Sequence, residues 1–219
     1  MMDKYVNKFR SLLAISLVSL LLLPGATLEN DPVKAGKQAA EGTFTPDKAH
    51  SQLGFRVRHL GITSVNGEFT DYDAKVTFDP EDLSTLKAEA TIQVTSIDTG
   101  IERRDNHLRS DDFFNAEQFP EMKFVSKSVR NIDGESFELV GDLTIRDITK
   151  EVVLEGEFYG VGMMGETRKA GFQAETTVNR FDYNLKWDRL TEAGGLVVAE
   201  EVKITLDLEL NEVTEQAGE

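Results

Sequence analysis

Residues 201–211 read Glu-Val-Lys-Ile-Thr-Leu-Asp-Leu-Glu-Leu-Asn. Val202, Ile204, Leu206, Leu208 and Leu210 alternate with polar neighbours on both sides. Successive side chains of a strand point to opposite faces, so this period of two describes a strand with one dry face and one wet face. The pattern recurs in Leu53, Phe55 and Val57, and in Ala88, Ala90, Ile92 and Val94. Weaker versions run through 63–79, 121–131, 136–146, 150–161 and 167–180, giving about eight strands. Asp133-Gly134 and the Gly160–Gly165 stretch (GVGMMG) supply hairpin signals, and Asn66-Gly67 reads as a turn or as a bulge inside a longer strand. No strand–helix repeat is visible, so a parallel Rossmann-type sheet is disfavoured. The fold class is all-β and antiparallel, with a sandwich or a closed barrel as its two solutions. Strands of up to ~12 residues, ~40 Å along the strand, favour a tall barrel.

One segment interrupts the rhythm. Thr99 followed three residues later by Glu102 predicts a capping box and a short helix. Ser110-Asp111-Asp112 predicts a further capped turn, which Pro120 ends.

Outside this core, Lys4, Lys8 and Arg10 precede the uncharged run Leu12–Leu23, which Pro24 and Gly25 break. A basic head, a short apolar run and small residues describe a secretory signal peptide over 1–26, and hence periplasmic or secreted location. The run falls short of the ~20 residues that span a bilayer, so no stable membrane anchor is expected after cleavage, although an uncleaved anchor is the alternative. Ala26, Thr27 and the Ala39–Ala40 pair are candidate cleavage points. Residues 27–42 read as a linker, 43–213 as the domain and 214–219 as a tail.

The 219-residue chain has a net charge of −15 and no cysteine. Disulfides, thiolate nucleophiles and cysteine-bound metals are therefore excluded. With five basic and four acidic side chains in 1–42, residues 43–219 carry 19 basic against 35 acidic, a net −16. Such a domain is a poor partner for nucleic acid. There is no G-x-S-x-G elbow, P-loop or strand-borne G-x-G-x-x-G. Gly160–Gly165 lacks a lysine and lies between two strands, so it is read as a hairpin, with Met163 and Met164 at its tip. The carboxylates are too numerous for any one pair to single out a glycosidase. No enzymatic activity and no cofactor is expected.

In chain order the sequence carries Phe44-Thr-Pro-Asp47-Lys-Ala-His50-Ser51, Phe55-Arg-Val-Arg58-His59-Leu60-Gly61, Gly67-Glu-Phe69 and Phe78-Asp79-Pro80. Thr99-Gly100, Arg104-Asp105-Asn-His107-Leu108, Asp112-Phe113-Phe114, Phe119-Pro120 and Phe124 follow. Gly141-Asp-Leu143-Thr144-Ile145, Thr149-Lys150, Asn179-Arg180-Phe-Asp182 and Trp187 complete the series. This succession resembles the YceI-like family of polyisoprenoid-binding, lipocalin-like barrel proteins over about 43–212. Three departures are visible: Phe44 stands where the resemblance leads one to expect Tyr or Trp, and Asp147 and Asn184 where it leads one to expect Gly.

The resemblance implies an eight-stranded antiparallel barrel that carries or stores a long isoprenoid lipid, a polyprenyl phosphate or an isoprenoid quinone. An eight-stranded barrel is just wide enough to be filled by side chains or to hold one ligand. Ala88, Ala90 and Ala174 would leave room, and Phe55, Phe69, Phe78, Ile92, Phe124, Phe158 and Phe172 would line the interior or serve simply as its core. Arg103, Arg104, Asp105 and His107 fall on the short helix at a barrel end, where they either receive a headgroup or pair internally to orient the helix; Arg180 with Asp182 admits the same two readings. His50 and His59 are nine residues apart on one probable strand and would share a metal only if that strand bent sharply, so no metal is expected. A homodimer is left open. The competing reading is an interaction or stress-response module with a filled barrel.

Overall fold

The computed structural model describes residues 41–190 and 194–213, all within the compact unit Lys37–Glu219. The expected signal peptide, nearly all of the linker and the tail lie outside the described residues. Eleven strand segments make up the sheet: β1 (Gly42–Pro46), β2 (Gln52–His59), β3 (Thr63–Phe69), β4 (Tyr72–Asp79), β5 (Asp82–Gln93) and β6 (Ile97–Asp98). After the helix α1 (Glu102–Arg109) come β7 (Glu121–Asp133), β8 (Ser136–Ile145), β9 (Ile148–Met164), β10 (Thr167–Asn179) and β11 (Val198–Glu212).

These segments form eight continuous antiparallel strands, because β1–β2, β3–β4 and β5–β6 are each one strand broken by a bend. The three bends lie side by side. Pro46, which has no backbone N–H to offer a ladder, ends β1. Ser51 then restores the stitching across the gap, its hydroxyl donating to Glu209 O (2.9 Å) and accepting from Glu209 N (3.0 Å). At the neighbouring bends Thr70 N donates to Ser96 O and Gln93 N to Asp71 O.

Closure separates a barrel from a sandwich here. The order β1-β4-β5-β7-β8-β9-β10-β11 returns on itself through β1–β11, with Phe44 opposite Glu212 and Pro46 opposite Leu210. The sequence-based expectation of an eight-stranded antiparallel barrel with a short helical insertion is therefore met. β11 anchors it, pairing with β10 from Val202↔Val178 through Leu210↔Ala170 and presenting its aliphatic face inward throughout.

One local expectation fails and another shifts. The helix does not start on a Thr99–Glu102 capping box: Ile101 occupies the cap position and makes no side-chain capping bond. Asp105, one turn into the helix, reaches back to Thr99 instead, so the fourth residue of the motif is bypassed for a more deeply buried acid. The hairpin expected at GVGMMG is present as β9–β10, but its turn is Gly165-Glu166, so Gly160–Met164 extend β9 and only Gly165 belongs to the turn. Gly160 (φ 100°) marks a bulge, where Phe158 and Gly160 on β9 face Phe172 and Gly171 on β10. Of the two non-glycine departures, Asn184 takes the left-handed conformation (φ 59°), while at the β8–β9 turn Arg146 (φ 56°) takes it in place of Asp147.

Candidate functional site: an apolar shaft inside the barrel

Inward-facing side chains of the barrel fall into two groups. Phe44 and Phe78 are 0% exposed. By contrast Leu53, Phe55, Ala88, Ala90, Ala174, Ile204, Leu206 and Leu208 face the interior yet remain only half-buried. A side chain that points inward and is still reachable borders empty space. That space is a cavity of about 260 Å³, lined along β11 from Val198 to Leu210. Twelve residues of rise at ~3.3 Å, tilted by ~40°, give a shaft roughly 30 Å long. Its walls are almost wholly apolar, with Tyr72, Thr176, Arg180 and Tyr183 as the polar-bearing exceptions.

Hollowness follows from residue size. Ala74, Ala88, Ala90 and Ala174 put only methyl groups into the lumen. At three further positions glycine lets a phenylalanine ring lie against the wall. A Cβ on Gly67 would stand 2.4 Å from Phe55 Cζ, one on Gly141 2.4 Å from Phe124 Cζ, and one on Gly156 2.4 Å from Phe137 Cζ. Rings held flat over cross-strand glycines narrow the shaft less than rings projecting into it.

The two ends differ. Towards the β3/β4–β5, β7–β8 and β9–β10 turns, aromatic rings fill the barrel: Phe78 contacts Phe44, Phe158 and Phe172 with centroids 4.9, 5.5 and 5.1 Å apart. Phe78 and Phe158 are thus floor, not lining, which corrects the expectation drawn from alternation. Alternation tells which face a residue takes but not its depth. Phe55, Phe69, Ala90, Ile92, Phe124 and Phe172 do border the cavity.

At the opposite end α1 and the following turns make a roof, through Leu108, Phe113 and Phe114. Arg104, Asp105 and His107 are in this roof but do not border the cavity. Asp105 is 5% exposed and accepts from Thr99 N (3.0 Å) and Thr99 Oγ1. Arg104 donates through Nε to the same Oγ1 (2.6 Å) and through Nη2 to Thr99 O (2.7 Å). The helix is therefore oriented by an Arg–Thr–Asp relay rather than by a direct Arg–Asp pair. His107 places Nε2 2.8 Å from Asp112 Oδ2 and packs edge-on against Phe113 and Trp187. These three residues brace the roof.

Arg180 does not follow the internal-pair reading. It makes no ion pair with Asp182; its 4%-exposed guanidinium donates to four carbonyls, those of Leu185, Trp187, Val198 and Ala199. Arg146, which the sequence reading did not single out, ties the roof together by donating to Phe113 O (3.1 Å) and Asn184 O (2.8 Å).

Residues 44–210 match the family model of the YceI-like domain. The chain belongs to the YceI-like family. A UPF0312 protein of Staphylococcus aureus is 42% identical over 170 residues, covering 77% of this chain and 96% of that protein. The YceI protein of Campylobacter jejuni superposes with a TM-score of 0.64 at 35% identity, over 77% of this chain and 96% of that one. A polyisoprenoid binding domain from Saccharophagus degradans shares the fold at 16% identity, with a TM-score of 0.57 over 78% of this chain and 98% of that one.

In this YceI-like domain His50 precedes β2 and His59 ends it. The bend at 47–51 brings His50, not His59, towards other potential ligands: His50 Nδ1 lies 3.3 Å from Asp47 Oδ2 and 3.8 Å from Glu209 Oε1. Lys169 Nζ already sits between these carboxylates, 3.0 Å from Asp47 and 2.5 Å from Glu209. Its ammonium supplies the positive charge a cation would bring, so the group fits a fastener between β1, β10 and β11. Hydrogen bonds from Lys169, His50 and Ala49 N hold the Asp47 carboxyl well below the usual carboxylate range.

Proposed function

We propose that this YceI-like protein is an exported, non-enzymatic carrier or store for a long isoprenoid lipid, held tail-inward in the shaft. The observation that carries the reading is the shape of the cavity: long, narrow and apolar. An apolar cavity of about 150 Å³ already takes up benzene, and this one is larger and drawn out along the barrel axis. Magnitudes favour a long tail. Each buried methylene contributes ~0.8 kcal/mol, while association costs several kcal/mol, so about twenty buried carbons are needed before affinity reaches the micromolar range.

Family membership and the fold shared with a polyisoprenoid binding domain support the same ligand class. The basic head and apolar run of residues 4–23 support export. A filled-barrel interaction module would lack the cavity. Native mass spectrometry of protein purified from its exporting host tests the reading: an apolar adduct is expected. An adduct-free spectrum, together with no uptake of either a prenyl quinone or a prenyl phosphate, would overturn it.

A further inference from the structure

Exposed apolar side chains meet at one corner of the barrel's roof end. The β2–β3 turn, His59-Leu60-Gly61-Ile62, closes through Ile62 N to His59 O (3.3 Å). Its central residues take positive φ, 56° at Leu60 and 70° at Gly61. Asn or Gly is the ordinary occupant of such positions, so an exposed leucine there is held against its preference. Ile62, beside it, is 82% exposed. Leu60 N donates to Val197 O (2.8 Å), Val197 N donates to Arg189 O (2.8 Å), and Leu190 bridges to Leu196. Leu190 is 63% exposed, so adjoining segments carry one apolar rim. Val57 and Val198, just inside it, border the shaft.

Charge around this rim differs from the rest of the domain. Residues 54–67 contain Arg56, Arg58 and His59 and no acid, within a net −16. Arg56 and Arg58 are exposed on the outer face of β2, and Lys186 and Arg189 are exposed on the segment leading to Leu190. Asp188, Glu200 and Glu201 lie on neighbouring segments. Yet none of these four cations has a carboxylate within ion-pair distance among the described residues. The other exposed apolar tip, Met163 and Met164, has the opposite setting. Glu166 follows it, the floor turns bring Glu81, Asp82, Asp133 and Glu135, and the nearby Arg168 and Lys169 are already paired.

We propose that the β2–β3 turn and the Arg189–Leu190 segment dock the barrel, roof end first, onto an anionic bilayer. The aliphatic tips enter the acyl boundary, and the guanidinium forks meet lipid phosphates. The spacing fits. At ~3.3 Å per residue and ~40° of tilt, Arg58 lies ~5 Å and Arg56 ~10 Å below Leu60. An interfacial element sinks its apolar edge by about 5–10 Å, which brings both arginines to headgroup depth. The floor acids stand roughly 30 Å away, well beyond the ~8 Å screening length at physiological ionic strength. The choice of a bilayer over a protein partner rests on the reading that the shaft carries a lipid.

The test is co-sedimentation of the protein, as recovered from its exporting host, with vesicles. One set is equimolar phosphatidylglycerol and phosphatidylcholine, the other phosphatidylcholine alone. Tighter binding to the anionic set, weakening as salt is raised, is expected. Ile62→Asp is expected to weaken it at least about tenfold. Arg56→Gln with Arg58→Gln is expected to weaken it about 25-fold, at about fivefold per cation. Met163→Asp, at the other end, is expected to change nothing. All variants are expected to take up a prenyl quinone titrated without vesicles as the wild type does, which also shows that they fold. Equal binding to both vesicle sets, or unchanged binding by the Ile62 and arginine variants, would overturn the proposal. A wild type that takes up the quinone but ignores vesicles would overturn it too, leaving the rim to a protein partner and the carrier reading intact. Vesicle binding with the expected dependence but no quinone uptake would support the docking surface and overturn the carrier reading instead.

Discussion

Phe55 on β2 faces Gly67 on β3, and its ring occupies the place a side chain at 67 would take, with only 2.4 Å from Phe55 Cζ to a Cβ there. Lumen width is thus set by a glycine on the neighbouring strand. Gly67→Ala should force the ring off the wall and into the shaft, costing roughly 1–3 kcal/mol as overpacking does. The expected result is a lower melting temperature together with weaker uptake of a prenyl quinone, and Gly141→Ala should act likewise through Phe124. Unchanged uptake by both variants would show that these rings do not govern the lumen.

Filling the shaft directly should separate binding from folding. Ala90 and Ala174 face the cavity from β5 and β10. Leucines at both positions add six carbons to free space, which ordinarily leaves a fold as stable or improves it by about 0.5–2 kcal/mol. Uptake measured by titration is expected to fall at least about tenfold, which corresponds to ~1.4 kcal/mol, with the melting temperature held or raised. A double variant that still binds as the wild type does would place the ligand elsewhere.

The inward face was legible in the sequence and the depth was not. The alternation through 53–57, 88–94 and 202–210 assigns Ala88, Ala90, Phe55 and the β11 aliphatics to the interior, where the structure has them. Phe78 and Phe158 obey the same alternation yet lie in the packed floor, because period two carries no information about height along the axis. Arg180 and Tyr183 sit in a turn, where periodicity flags neither; the family resemblance picks out Arg180 alone, without its carbonyl partners. Thr99 and Glu102 met a local capping rule that the burial of Asp105 overrode.

Because Phe78 closes the shaft against Phe44, Phe158 and Phe172, its removal should both loosen the fold and lengthen the cavity. Phe78→Ala is expected to cost about 3–5 kcal/mol in denaturant unfolding. If the floor limits how far a tail penetrates, the surviving folded protein should gain relative affinity for longer prenyl tails over shorter ones. Equal ratios before and after substitution would show that tails do not reach the floor.

Asp105 holds the roof. Its carboxylate takes both the N–H and the hydroxyl of Thr99, and Arg104 completes the relay from the other side of the same hydroxyl. Asp105→Ala leaves the two half-buried donors of Thr99 without this partner, at about 1–3 kcal/mol each, and should cost roughly 2–6 kcal/mol in all. Since Leu108, Phe113 and Phe114 close the shaft from this side, hydrogen exchange in residues 102–119 should rise more than in β7–β10. A uniform rise across the barrel would mean that the roof does not open separately.

The fastener of Lys169, Asp47, His50 and Glu209 makes an acid-side prediction. The Asp47 carboxyl is held below its ordinary value chiefly by its hydrogen bond from Lys169. A carboxyl whose folded pKa is depressed binds protons more readily in the unfolded chain, so its contribution is full above the ordinary carboxylate range. It is lost as the pH falls below that range towards the depressed folded value. The Lys169 ammonium is raised by Glu209 and Asp47, and its contribution stays full below the ordinary lysine range and fades only as the pH climbs through it. Asp47→Asn should therefore lower the melting temperature near neutrality and flatten its fall in acid, with little change in slope on the alkaline side beyond what Glu209 still holds. Melting curves from neutrality down to strongly acidic pH check this: parallel wild-type and variant profiles would show that Asp47 is not the group whose protonation opens the seam between β1 and β11.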